Sequence, residues 1–258
     1  MRKTVQDNRV VQVVEDLEQT LLQFIRKHRI SHADYRLATD LIVESVKQGE
    51  ESLLFDIFFE AEATDVGSAG SQASQAAIEG PFYIPGAPLL EKPYVMPQRE
   101  DEAGEPMTFS GVVSDLHGNA VSGAVIDVWH ADAAGLYSQI HPNIPEWNLR
   151  ARFVTEADGS FTVETILPPP YEIPKDGPTG IVLNALGRHF FRPAHVHLKV
   201  SADGFEDLTS QLYFPGGEFL DNDVANAVRD GLMFDIEEDE DGVHAKYDFT
   251  LTTASPSS

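Results

Sequence analysis

Cysteine is absent from the 258 residues. Its absence excludes disulfide staples, thiolate zinc sites and cysteine nucleophiles, so a metal would have to be held by nitrogen and oxygen. Basic residues are scarce: 18 Lys and Arg face 42 Asp and Glu, a formal net charge of −24. This balance argues against a nucleic-acid binder, which needs a basic patch, and against docking on an anionic membrane surface. The run Glu237-Glu238-Asp239-Glu240-Asp241 adds to the acidic excess and reads as a solvated turn. No stretch approaches the eighteen apolar residues of a membrane span, and the opening segment is charged within its first apolar stretch, unlike a secretory signal. A cytoplasmic protein is expected.

What is present divides along the chain. From residue 8 to about 63 the pattern is helical: Val10, Val11, Val14, Leu17, Leu21, Leu22 and Ile25 recur at three- and four-residue steps. Ser31 followed by Asp34 has the form of a helix N-cap, and a third helix is expected over 52–62. The small polar stretch from Gly67 reads as a loop, and Pro and Gly keep the backbone irregular to about residue 105. Short strand patterns then alternate with turns, including Asp158-Gly159, read as a hairpin turn. The expected fold is α+β: a helical region (1–64), an irregular connection that contributes to a pocket (65–104), and a mostly antiparallel β-sandwich (105–258).

One strand carries candidate chemistry. In Ala194-His195-Val196-His197-Leu198-Lys199, alternation puts His195, His197 and Lys199 on one face and the apolar residues on the other. Imidazoles two residues apart have Cα atoms roughly 6.5–7 Å apart, close enough to converge on one ion. By itself the pair is most simply two histidines on a polar sheet face. A cupin-type metal site would want a nearby Glu and a third His one hairpin on, and neither follows. Carboxylates are too abundant to be chosen by spacing. Tyrosine is rarer, at seven residues; Tyr137 follows a strand, and Tyr171 sits among the prolines of Pro168-Pro169-Pro170-Tyr171-Glu172-Ile173-Pro174, where little ordering entropy remains to be lost.

Several segments together resemble the intradiol ring-cleavage dioxygenases, in particular the catechol and chlorocatechol 1,2-dioxygenases. They are Ile78-Glu79-Gly80-Pro81-Phe82-Tyr83, Gly123 to His130, Gly135-Leu136-Tyr137-Ser138, Pro170 to Pro174, Gly177 to Gly180, Gly187-Arg188-His189, Arg192 to His197, and Gln211-Leu212-Tyr213-Phe214. Tyr137 and Tyr171 are 34 residues apart, Tyr171 and His195 24, and His195 and His197 2.

The resemblance implies a helical dimerisation region, a β-sandwich catalytic domain and a cytoplasmic homodimer. One Fe(III) per subunit would be held by Tyr137 and His195 as equatorial ligands and Tyr171 and His197 as axial ligands, and a structural phospholipid could lie at the dimer contact. Phenolate oxygen favours the ferric state, although affinity alone leaves zinc and copper open. The implied reaction is cleavage of catechol or chloro- or alkyl-substituted catechols by O₂ to cis,cis-muconates. Tyr171 would take a substrate proton, Arg192 would stabilise negative charge on the ring, and Gln211 would orient the reacting species. The matched pocket wall is Leu53, Asp56, Ile57, Ile78, Gly80, Pro81, Phe82 and Ala225. Hydroxyquinol is an alternative substrate. Protocatechuate would want a cation near Ile57 or Phe82, and none is seen there. The stretch from Ser110 to Val125 would also suit a non-enzymatic prealbumin-like binding module.

Overall fold

The computed structural model describes residues 8–254; the first seven, with which the opening segment begins, and the last four lie outside the described residues. The chain divides into two compact units, one ending at Gln48 and one starting at Gly49.

The first unit is two helices, α1 (Asn8–His28) and α2 (His32–Gln48). Arg29 at φ 53° ends α1, and the Ile30 N–H reaches back to the Ile25 carbonyl at 3.0 Å, a left-handed cap that satisfies an end-of-helix acceptor. The expected N-cap starts α2. Ser31 N–H donates to Asp34 Oδ2 at 2.9 Å, and the Asp34 N–H donates to Ser31 Oγ at 3.2 Å. Two orphan donors are satisfied reciprocally. Val10, Val11, Val14, Leu17 and Leu21 are each more than half exposed in the single chain.

The second unit begins with α3 (Glu51–Phe55), a π-helical turn (Asp56–Glu60) and α4 (Ala61–Gly67). The single regular helix expected over 52–62 is therefore interrupted. Hydrophobic periodicity cannot register one extra residue in a turn, and the helix also runs on to Gly67. Sheets follow. One runs β1 (Tyr94–Val95), β5 (Ser160–Ile166), β2 (Pro106–Asp115), β11 (Gly242–Lys246), β10 (Asp235–Asp239), with β12 (Phe249–Leu251) also on β2. A second runs β4 (Arg150–Val154), β3 (Val125–Trp129), β8 (His195–Ser201), β9 (Leu208–Tyr213). A two-stranded ribbon pairs β6 (Tyr171–Glu172) with β7 (Phe191–Arg192), and α5 (Pro178–Ala185) lies between them in sequence. Antiparallel pairings predominate; β1 with β5 and β11 and β12 with β2 are parallel.

Two local expectations change. Asp158-Gly159 does not join a hairpin: β4 pairs with β3, whereas β5 pairs with β2, so the turn carries the chain from one sheet to the other. A tight turn has the same local chemistry in both settings, and only long-range pairing decides between them. The acidic run lies mostly in exposed edge strand β10, with the turn itself at Glu240-Asp241.

The two large sheets share one apolar interior. Met107, Phe109, Phe161, Val163 and Phe249 meet Ile126, Val128, Phe153, Val196, Leu198 and Val200 there. Phe109 packs edge-on against Phe161 and Phe234 at 5.0 and 5.2 Å between centroids. Burial of each such side chain contributes roughly 1.5–3 kcal/mol. This interior fixes the second sheet, and alternation then presents Trp129, Arg150, His195, His197, Gln211 and Tyr213 on its other face.

Candidate metal centre

Register across the second sheet sets the site. His195 lies opposite Tyr213 and His197 opposite Gln211 on β9, while Trp129 of β3 lies opposite His197. The Trp129 indole stacks on the His197 ring at 4.9 Å and 9° and fixes its plane. Tyr137 comes from the turn after β3. There Asp132 Oδ1 accepts the Ala134 and Leu136 N–H groups at 2.9 Å each, and Gly135 sits at φ 80°. A Cβ on Gly135 would lie 2.8 Å from Tyr171 Cβ, so only glycine lets the two tyrosine segments approach this closely. Arg150 donates to Ser138 Oγ and its carbonyl at 2.9 and 3.0 Å, which pins the residue after Tyr137. The two-stranded ribbon supplies Tyr171 and Arg192, directly opposite one another.

All four expected donors are buried together: Tyr137 is 0% exposed, Tyr171 6%, and His195 and His197 1% each. Ring centroids separate Tyr137 from Tyr171 by 5.4 Å, Tyr137 from His197 by 6.1 Å and Tyr171 from His195 by 5.5 Å. The two imidazole Nε2 atoms are 3.0 Å apart. Two nitrogens at right angles on one ion, each about 2.1 Å from it, would be about 3 Å apart. The His195 Nδ1 faces the Pro193 carbonyl at 2.7 Å, which assigns it as the donor nitrogen and leaves Nε2 with a lone pair.

The donor set passes a chemical test for a bound cation. Tyr137 Oη is buried and has no hydrogen-bond partner, an arrangement that costs free energy unless another atom completes it. Among the described residues no group of three or more His, Cys, Asp or Glu could hold a metal; beside the two imidazoles stand the tyrosine rings. Burial, followed by the neighbouring Tyr171, pushes the Tyr137 phenol well above its ordinary range. Burial also raises Tyr171, opposed by the charge of Arg192. Burial and then Arg192 lower His195 to about 3, while burial and then His195 push His197 well below its usual value. The imidazoles are therefore neutral, as ligands must be, and the phenols need a strong positive centre to ionise.

Arg192 is itself buried and tightly held. Nε and Nη2 donate to the two oxygens of Asp223 at 3.0 Å each, Nη2 also reaches Gln211 Oε1 at 2.9 Å and Tyr213 Oη at 3.0 Å, and Nη1 lies 3.1 Å from His195 Nε2. Burial alone would raise the Asp223 carboxyl, but the Arg192 charge and hydrogen bonds outweigh it and lower it. Gln211 Nε2 donates to the Ile78 carbonyl at 2.9 Å and lies 3.1 Å from His197 Nδ1.

Leu53, Asp56, Ile57, Ile78, Gly80, Pro81, Phe82 and Ala225 line one cavity together with Tyr171, Ile173, Arg192 and His197. Lys199, on the histidine face of β8, pairs with Glu79 and lies 4.2 Å over the Tyr83 ring, outside this lining. Sequence reasoning missed Trp129, Arg150, Tyr213 and Asp223. Tyr213 had a signal, since it lies two residues beyond Gln211 on the same strand face. Asp223 had none, because Asp221 and Asp223 differ only in what they meet in space.

The profile of the dioxygenase family matches residues 78–253. The chain is 41% identical over 240 residues to the chlorocatechol 1,2-dioxygenase of Rhodococcus opacus, covering 92% of this chain and 93% of that one. Its fold resembles the crystal structure of 3-chlorocatechol 1,2-dioxygenase from Rhodococcus opacus 1CP, with TM-score 0.91 and 39% identity over 96% of this chain and 99% of the other. It also resembles hydroxyquinol 1,2-dioxygenase from Pseudomonas putida DLL-E4, with TM-score 0.86 and 29% identity over 98% and 94%. The matched profile runs from the Ile78 wall of the cavity through all four candidate donors to the last strand, and the chain belongs to the dioxygenase family.

Proposed function

We propose that the protein is an intradiol dioxygenase that opens catechol or chloro- or alkyl-substituted catechols with O₂ to cis,cis-muconates. In this reading Tyr137, Tyr171, His195 and His197 hold ferric iron. The observation that carries it is the convergence of two phenols and two neutral imidazoles in one buried site, with Tyr137 Oη left without a partner. Such a set matches ferric iron, since phenolate oxygen favours the higher oxidation state. The chemistry supplied by the bound metal is Lewis-acid polarisation of the catechol oxygens and electron withdrawal from the ring.

The residues of the chain do the rest. The apolar walls from Leu53, Ile57, Ile78 and Pro81 receive the ring and exclude water. Of the two tyrosines Tyr171 lines the cavity, and as a phenolate ionised by the bound metal it would be the group to take a proton from a catechol hydroxyl. Arg192 presents a fixed positive charge to the same space, held there by Asp223 before any substrate arrives, so little reorganisation is needed as negative charge grows on the ring. Gln211 bridges Arg192 and His197 and orients both. Arg192 is the only Lys or Arg in the cavity lining, which favours an uncharged catechol over one bearing a carboxylate. The higher identity to a chlorocatechol enzyme than to the hydroxyquinol enzyme favours catechols without a third hydroxyl.

The exposed apolar residues of α1 and α2 support a homodimer joined through the helical region, with a phospholipid as a candidate occupant of that contact. The division into a helical region (1–64), a pocket-forming connection (65–104) and a sheet domain (105–258) is part of the same proposal. No helix among the described residues is long and apolar enough to cross a membrane, which accords with a cytoplasmic location. Light scattering and lipid extraction test the dimer and the lipid. A panel of catechol, 3- and 4-chlorocatechol, protocatechuate and hydroxyquinol, followed by muconate absorbance, tests the reaction. Muconate from catechols is the expected result, and turnover of hydroxyquinol alone would replace the reading.

A further inference from the structure

The cavity wall opposite the histidines is not regular structure. It is the segment 78–82, and its backbone donors have no sheet or helix to pair with. Three side chains hold it. Gln211 donates to the Ile78 carbonyl at 2.9 Å, and Lys199 pairs with the Glu79 carboxylate. The third is Glu60: its Oε1 accepts the Glu79 N–H at 2.8 Å and the Gly80 N–H at 3.4 Å. Glu60 is the last residue of the π-helical turn and does not line the cavity. Its other oxygen, Oε2, is buried without a partner.

Placement of this carboxylate has a cost. Burial works against its charge, which the two backbone N–H groups only partly offset, so its pKa is raised. What the contact controls is Gly80. At φ 72° a Cβ there would lie 3.3 Å from His197 Cε1, so the wall stands almost in contact with a candidate metal ligand. Leu53, Ile57 and Glu60 follow one another at steps of four and three residues, so they share one helical face, and from it Glu60 reaches the 79–80 backbone.

We propose that Glu60 is a positioning residue that fixes the 79–80 backbone against His197 and so sets how much room the cavity leaves for a substituent on the catechol ring. The inference rests on the reading that this cavity takes the ring. Glu60 touches neither substrate nor donors; it acts through Gly80 and Pro81.

The test uses the full chain carrying iron, with Glu60→Leu, which removes both acceptors, and Glu60→Gln, which keeps an oxygen for the two N–H groups. Amide hydrogen exchange at 79 and 80 should accelerate about tenfold in Glu60→Leu and stay within about threefold of the native rate in Glu60→Gln. KM for 3-methylcatechol relative to catechol should change about tenfold in Glu60→Leu, with kcat on catechol altered less than about threefold and the visible iron band unmoved. Unchanged exchange overturns the clamp whether or not the protein turns over catechol. A native enzyme that makes muconate while both variants keep its KM ratio overturns the specificity role alone. Absence of muconate from the native protein overturns instead the reading on which the inference rests. If Glu60→Leu does not fold, the smaller Glu60→Ser takes its place: faster exchange at 79 and 80 with a changed KM ratio supports the proposal, and native values of both contradict it.

Discussion

Over residues 195–198 the two faces of strand β8 are equally buried and chemically opposite. On one, Val196, Leu198 and Val200 sit in an interior made of carbon, where burial itself is the stabilisation. On the other, His195 and His197 sit among three phenols, a guanidinium and a carboxylate, where burial is a cost that hydrogen bonds must offset. The first face satisfies itself. The second does not: Tyr137 Oη, Trp129 Nε1 and Arg150 Nη1 are buried without partners. A fold tolerates several such groups close together where function needs them, so in the proposed reading the same sheet serves as core on one side and as reaction chamber on the other.

Four substitutions test that contrast. The largest effect is expected from His197→Ala: catechol turnover should fall about 10³-fold or more, while the melting temperature of the metal-free chain moves less than it does for a core change one residue away. Assays and thermal melts on the same preparations check this, and equal loss of fold and activity would erase the distinction between faces. Leu198→Ala is the converse. It should cost about 3 kcal/mol of stability by denaturant titration and leave kcat of the folded enzyme within about threefold.

Asp223→Asn lies between them, because it keeps the shape but removes the charge that holds Arg192. A loss of about 2 kcal/mol is expected, with kcat falling more than KM changes. The smallest effect belongs to Asp56. Burial first, then the nearby charges of Glu60 and Glu79, raise its pKa to about 6 from 3.8. Between about pH 4 and 6 the folded chain keeps a proton that the unfolded chain has lost, so stability falls as pH rises through that window. Asp56→Asn should therefore stabilise the protein above pH 6 and make no difference below about pH 4. Partial exposure limits the gain to under about 1 kcal/mol.

Much of this was legible in the sequence wherever one local rule sufficed. Alternation placed His195 and His197 together and opposite Val196 and Leu198. The Ser31 and Asp34 spacing marked the start of α2, and family resemblance brought Tyr137 and Tyr171 into the set. Information failed where a residue gains its meaning from a distant partner. Asp223 meets Arg192 across 31 residues, and Glu60 meets Glu79 across 19. Asp158-Gly159 reads as a hairpin turn because the local chemistry of a turn is the same whether the next strand pairs with the last one or crosses to another sheet. The π turn at Asp56–Glu60 escaped for a related reason, since apolar residues still fall on one face when a single residue is inserted.

The most direct measurement of the central claim is the visible spectrum of the purified protein, taken with its iron content and compared with Tyr137→Phe and Tyr171→Phe. Expected are about one iron per chain, a phenolate-to-iron charge-transfer band that gives a red colour, and a weakened or shifted band in each variant. A colourless protein that takes up no iron on reconstitution, or a band indifferent to both substitutions, would contradict it.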